Sequence, residues 1–343
     1  MIREEKLMTK KLQDKFTRFV NHLSQSLNKP EQKFLKACSF GILSSQSCIV
    51  RRTAQSLNEK ISSKKTQERL IYHLDKSELD EKISQTLLQK QCHKLRKDSL
   101  IIVDPSDIVK KYAEKMAGLS KVRDGNDGKW KTGYDALDIV AAAKTTKLRY
   151  RFHSKKGVTI SAGISSVSVP LNPHTLKNPT LAESKLVVAK IRSKRKDGTY
   201  RSGIFYLLCH NPDKSFLERD YVKFVLESYR LRWKIEEVHR QIKTDFGWED
   251  IQLLTYRRLQ TMNTLLWVAL SFLYALDSWK YRLAKTFTNM MLERNNKLSE
   301  LNKFVYYKIA TVIKYCFNKI SLYQKITFQK QHNEPLQLWI QEF

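Results

Sequence analysis

Between Ser228 and Phe246 the chain reads SYRLRWKIEEVHRQIKTDF, and two regular stripes run through it. Tyr229, Arg232, Glu236, Arg240 and Lys243 follow one another at spacings of 3, 4, 4 and 3, which on a helix of 3.6 residues per turn places them along one side. A carboxylate flanked by a phenol, guanidinium groups and an ammonium has the chemistry of a metal ligand set beside phosphate clamps, because Arg and Lys are the natural partners of phosphate oxygens. The same stripe is also what a solvated helix face looks like, with i,i+4 ion pairs between Arg232 and Glu236 and between Glu236 and Arg240. A second acid stands out in DSLIIVDPSD. The apolar run Leu100–Val103 reads as a short strand ending at Asp104, with Pro105 stopping a central strand there. A carboxylate at a strand end is a common active-site position, and an Asp before Pro is equally a turn former. Asp107 lies past that strand end and is the weaker candidate of the two.

Those side chains need elements to hold them. Leu231, Ile235, Val238 and Ile242, spaced 4, 3 and 4, predict one amphipathic helix through the segment, packed on a core by its apolar side. Residues 1 to about 95 read as helices almost without Gly or Pro. Three short helices are expected in FLKACSFGILSS, SCIVRRTAQSLN and SSKKTQERLIYHL. Ile49, Val50, Thr53, Ala54 and Leu57 form an apolar face on the second, and Lys64, Lys65, Gln67 and Arg69 load the start of the third. That layout suits a helix-turn-helix with a recognition helix, and equally a small helical bundle. DGNDGKWKTGY (124–134) is turn chemistry, and DALDIVAAAKT is expected to be a short helix opened by Asp135 and Asp138. Strands follow: the alternating Leu148, Tyr150 and Phe152, then VTISAGISSVSV, LVVAKIR, an Asp197-Gly198 hairpin turn and GIFYLLC. After them the chain is helical, through the apolar run Leu265–Leu276 and a Lys-rich tail.

Composition narrows the partners. Of 343 residues, 63 are Lys or Arg and 34 Asp or Glu, a net charge of +29 spread along the chain. Such a field gathers polyanions, nucleic acid first, with an anionic membrane or an acidic partner as the other reading. The apolar fraction of 41% supports a real core. The five cysteines form no C-x-x-C pair and suit neither zinc nor a disulfide framework, as expected in a reducing cytoplasm. The charged start MIREEKLMTKKLQDKF is not a signal peptide, and the 12-residue run Leu265–Leu276 is too short to span a bilayer.

Tyr229, Arg232, Glu236 and Lys243 match Y-x2-R-x3-E-x6-K at every spacing. With Asp104 in IIVDPSD, a β-rich block at about 146–210 before the helix, and FGWEDIQLLTYRRLQTM after Lys243, the chain resembles the DDE transposases of bacterial insertion sequences, specifically the YREK group (insertion-sequence family four). The likeness covers roughly residues 98–278. It implies an α+β (α/β) architecture: an RNase H-like core with a β-rich insertion, flanked by helical N- and C-terminal regions. The expected parts are a helical DNA-binding region 1–97, a catalytic domain 98–278 and a helical tail 279–343. The implied activity is cutting and joining of double-stranded DNA, at inverted-repeat ends and at the target, through two Mg²⁺ (or Mn²⁺) ions held by three carboxylates. Asp104 and Glu236 fill the first and third places and are the implied catalytic, metal-binding residues. Tyr229, Arg232 and Lys243 are the implied ligands of DNA phosphates. A synaptic homodimer working in the cytoplasm at the nucleoid, with no membrane, completes the expectation.

The second acid does not fall into place. If Gly133-Tyr134 is the Gly-Tyr of a D-R-G-Y-like stretch, Lys131 stands where the Asp belongs. Asp135 follows Asp104 by 31 positions. Two antiparallel strands, a helix and a further strand need roughly 35–50 residues. Residues 105–131 show no strand alternation, so an internal deletion and a catalytically defective transposase are expected. Asp135 or Asp138 is a possible substitute acid. The rival functions are a non-catalytic end-DNA-binding protein or transposition inhibitor, and a nuclease without preference for inverted repeats.

Overall fold

The computed structural model describes residues 3–95, 99–110, 113, 115–125, 127–142, 158–170, 181–194, 197–209, 218–292, 301 and 304–320. These divide into two compact units. One holds the helices up to residue 95, residues 103–139 and what is described from Ile235 onward; the other holds 99–102 and 140–234.

In the first unit, α1 (Arg3–Leu23), α2 (Lys29–Ser45), α3 (Val50–Ser56), α4 (Ser63–Leu74) and α5 (Leu79–Cys92) gather with α8 (Tyr256–Ala275) and α11 (Val305–Asn318). Each presents one apolar face. α8 is the exception: from Leu259 to Leu273 most of its side chains are buried, so it is the axle of the bundle. Tyr256–Thr286 is long and apolar enough to cross a membrane by length and composition, and 67% of its most apolar window is buried inside the protein. Core burial accounts for that composition. The expected apolar face of α3 is present, with Val50, Thr53, Ala54 and Leu57 buried, and it lies so close to α2 that a Cβ on Gly41 would meet Thr53 Cγ2 at 2.5 Å. Ser62 caps α4 by accepting from Lys65 N at 3.3 Å, and Lys64, Lys65 and Arg69 are exposed along its start.

The same unit carries most of a three-stranded sheet ordered β1-β3-β2, built from β1 (Leu100–Val109), β2 (Ser120–Arg123) and β3 (Trp130–Ala142). Here the structure corrects three expectations. Residues 105–131 are not strand-free. β1 runs on through Pro105, which is tolerated because β1 is an edge strand and proline lacks only the N–H that an edge has no need to pair. Asp104 therefore sits inside a strand, not at its end. DALDIVAA is strand, not helix: Tyr134, Ala136, Asp138 and Val140 are more enclosed and Asp135, Leu137 and Ile139 more exposed, a period of two that outweighs the helix propensity of the alanines. β2 and β3 pair antiparallel, from Ser120 opposite Gly133 to Arg123 opposite Trp130.

Gly133 has a packing reason. A Cβ there would meet the Ile108 carbonyl oxygen at 2.2 Å and Val122 Cγ2 at 2.9 Å. Gly133→Ala is expected to force β1 and β3 apart and to destabilise the protein by about 2 kcal/mol, read as a lower urea midpoint with unchanged slope. An unshifted midpoint would show that the strands do not pack this closely.

The second unit contains β4 (Val158–Pro170), β5 (Leu181–Lys194) and β6 (Tyr200–Cys209), an antiparallel meander ordered β4-β5-β6, with Asp197 and Gly198 (φ +85°) turning the last hairpin. Val187 of β5 packs with Tyr221 and Val225 of α6 (Glu218–Leu231). The expected strands from VTISAGISSVSV onward are all present. The alternation at Leu148, Tyr150 and Phe152 lies outside the described residues, as does the tail beyond residue 320.

Candidate active site

The expected single helix from Ser228 to Phe246 is three pieces. α6 ends at Leu231, Arg232 forms a turn, α7 runs over Trp233–Arg240, and Gln241–Asp245 widen into a π turn closed by Phe246 N donating to Gln241 O at 3.2 Å. The apolar stripe survives the interruptions: Ile235, Val238 and Ile242 are buried and Leu231 is half-buried. α7 is tied to α11 by Tyr307 Oη donating to the Glu237 carbonyl at 3.1 Å and by Gln241 Nε2 donating to the Tyr306 carbonyl at 3.3 Å.

The polar stripe falls in two halves. Tyr229 and Arg232 belong to the second unit, where the guanidinium of Arg232 stands 5.5 Å from the Tyr229 ring centroid and 5.8 Å from that of Trp233, and Tyr229 tilts against Phe205 at 5.7 Å. Glu236, on α7, and Lys243, in the π turn, belong to the first unit and are half-buried.

Around that first-unit half, acids and cations interleave. His239, one turn beyond Glu236, lies with Nε2 2.8 Å from Asp138 Oδ2 and Nδ1 3.9 Å from Asp104 Oδ2. The shorter contact is off the line of an N–H bond, leaving Nε2 buried without a hydrogen bond, so it acts as a close polar contact between enclosed side chains. Lys243 Nζ lies 3.4 Å from Asp107 Oδ2 and 3.3 Å from Glu249 Oε1. The Asp107 oxygen is likewise buried without a hydrogen bond, and the ammonium is what offsets its desolvation.

Of the acids weighed from sequence, the structure brings Asp104 and Asp138 to the same imidazole. Asp135, three residues before Asp138 and so on the other side of β3, is exposed and accepts from Ser120 Oγ at 3.3 Å. Lys131 is occupied in the β2–β3 turn, paired with Asp124 and with Asp127, and those two carboxylates hold its ammonium pKa above the usual lysine value. His239 and Glu249 were not singled out from sequence. The i,i+3 offset of His239 from Glu236 was the available signal.

Lys110 was also missed. It follows β1, is 6% exposed, and its Nζ donates to the carbonyls of Trp248 (3.1 Å), Ile251 (3.3 Å) and Glu249 (3.5 Å), with the Trp248 ring 5.7 Å away. The strand bearing Asp104 is thereby fastened to the turn that follows Lys243. Burial lowers the Lys110 pKa to about 8, against the opposing pull of Glu249 and Asp250.

Residues 174–272 match the family model of the transposase DDE domain. The matched stretch is less than a third of the chain; it takes in β5, β6, α6, α7 and most of α8, and with them Tyr229, Arg232, Glu236, His239 and Lys243. It supports a DDE transposase and a DNA substrate, and leaves out Asp104, Asp107 and Asp138. No curated protein matches the chain. Transposases of this kind work with divalent metal, so the acids have to be tested for fit. Among the described residues no three His, Cys, Asp or Glu side chains are grouped to hold a metal ion. Asp104 and Asp138 meet opposite nitrogens of one imidazole instead of a shared point. As arranged, the site does not fit the metal pair.

Proposed function

We propose that the chain derives from an insertion-sequence transposase of the YREK group and retains recognition of the element's ends without performing cleavage. The observation that carries this is the transposase DDE match over residues 174–272, inside which Tyr229, Arg232, Glu236 and Lys243 keep the Y-x2-R-x3-E-x6-K spacing. The excess of 63 basic over 34 acidic residues supports a duplex DNA partner. The exposed Lys64, Lys65 and Arg69 at the start of α4 make the helical region 1–97 the part expected to read the ends.

The proposed loss of cleavage rests on the missing second acid and on the sheet. β2 and β3 supply the two antiparallel strands expected after β1. The helix and further strand expected next have only positions 143–157 before β4, which pairs with β5 in a different sheet. A helix, a strand and their turns need roughly 20 or more residues. The proposed internal deletion thus falls after Ala142, not ahead of Asp135. RNase H-like ancestry, a homodimer at paired ends and a place at the bacterial nucleoid complete this reading.

The test is a labelled duplex carrying the inverted repeat that borders the gene, incubated with Mg²⁺ or Mn²⁺. Repeat-specific retardation without cleavage is expected, weakened roughly tenfold by Arg232→Ala. Cleavage that disappears in Glu236→Gln would overturn the proposed loss of activity. Absence of any repeat preference would overturn the transposase reading itself.

A further inference from the structure

Four carboxylates, Asp104, Asp107, Asp138 and Glu249, converge on two side chains four residues apart on one stretch of chain, His239 and Lys243. His239 reaches Asp104 and Asp138 from its two ring nitrogens, and Lys243 is 3.4 Å and 3.3 Å from Asp107 and Glu249. Each therefore bridges an acid of the β1–β3 sheet to another acid, and both are partly enclosed, with side-chain exposures of 14% and 24%. Carboxylates this enclosed need a partner, and a divalent ion is one way to supply it. Here the chain supplies both partners itself.

The geometry points to a self-filled acid cluster: His239 and Lys243 occupy the places between paired carboxylates that divalent cations would otherwise take, and so exclude metal while pinning the π turn region to the sheet. His239 lies off any hydrogen-bond line to Asp138 yet only 2.8 Å from it, so no room is left for an ion between the two. The Lys110 ammonium, set in the carbonyls of Trp248, Glu249 and Ile251, holds the Glu249 segment in reach of Lys243. Metal binding is read directly, so the inference stands or falls apart from any DNA activity.

The experiment is Mn²⁺ titration of the full chain followed by electron paramagnetic resonance, always as the difference from an Asp104→Asn, Asp138→Asn chain so that ions bound elsewhere cancel. For the unaltered protein no difference is expected up to about 1 mM Mn²⁺. Freeing the acids by His239→Ala, or by the milder His239→Gln should the alanine variant fail to fold, is expected to create a site at least tenfold tighter, with a rise in melting temperature on adding Mn²⁺. Micromolar Mn²⁺ binding by the unaltered chain, lost with Asp104 and Asp138, would overturn the inference. So would folded His239 variants that still bind no Mn²⁺, since the imidazole would then not be what keeps the ion out.

Discussion

Replacing Lys110 by Met lowers the free energy of unfolding by about 3 kcal/mol near neutral pH, because three buried carbonyls, those of Trp248, Glu249 and Ile251, lose their shared donor. The pH dependence separates this from a simple packing loss. Lysine titrates at 10.5 when free and at about 8 in this fold, so between these values the unfolded chain holds the proton that the native chain has released. Stability then rises with pH across the window from about 8 to 10.5, by about 3 kcal/mol in total at 1.36 kcal/mol per unit; below pH 8 both states are protonated and the burial cost is fully present. The Met variant lacks that rise. Denaturant melts of both proteins at pH 7, 8, 9 and 10 are expected to show the gap widening with pH. A constant gap would mean that Lys110 titrates like an exposed lysine.

The largest single loss is expected at Phe16. Its ring is 1% exposed and meets Phe40 (5.9 Å), Phe272 (5.4 Å) and Phe317 (5.4 Å), each edge-on, while Phe40 and Phe317 stack on each other at 4.6 Å. α1, α2, α8 and α11 all reach this one cluster. Phe16→Ala opens a cavity and removes three aromatic contacts, for about 4–5 kcal/mol of lost stability; Phe16→Leu refills most of the volume and costs about 1–2 kcal/mol. Calorimetric melts of both variants decide it. Equal, small shifts would mean that the helices at the two ends of the chain do not share a core.

Much of this was legible in the residues themselves. The apolar stripe through Ile235, Val238 and Ile242, the buried side of α3 and the Asp197-Gly198 hairpin follow from periodicities of 3.6 and 2 and from turn chemistry, all local properties. The first sheet was not legible. Asp135 and Asp138 ahead of three alanines mimic a helix start, and only pairing with β1 and β2 makes that stretch extended. Pro105 looked like a stop because nothing local shows that its strand lies at an edge. The acid cluster was legible only in part for a related reason: Asp104, Asp138 and Glu249 are far apart along the chain, and contacts at such distances leave no periodic trace. Lys110 offered no cue at all, since one lysine among 63 basic residues becomes distinctive only when three carbonyls close around it.

The π turn at Gln241–Asp245 bears on how this gene can change. A π turn houses one residue more than an α turn would, and Phe246 and Trp248, both buried, are seated just after it. Loss of a single codon here would let the turn relax to α geometry and swing everything after it by about 100°. Phe246 and Trp248 would leave the core, and Lys243 would leave its acids. Exchanges at the exposed Thr244 alter no buried contact. The segment is therefore permissive to missense change and intolerant of any in-frame insertion or deletion, a seam whose length is under tighter constraint than its spelling.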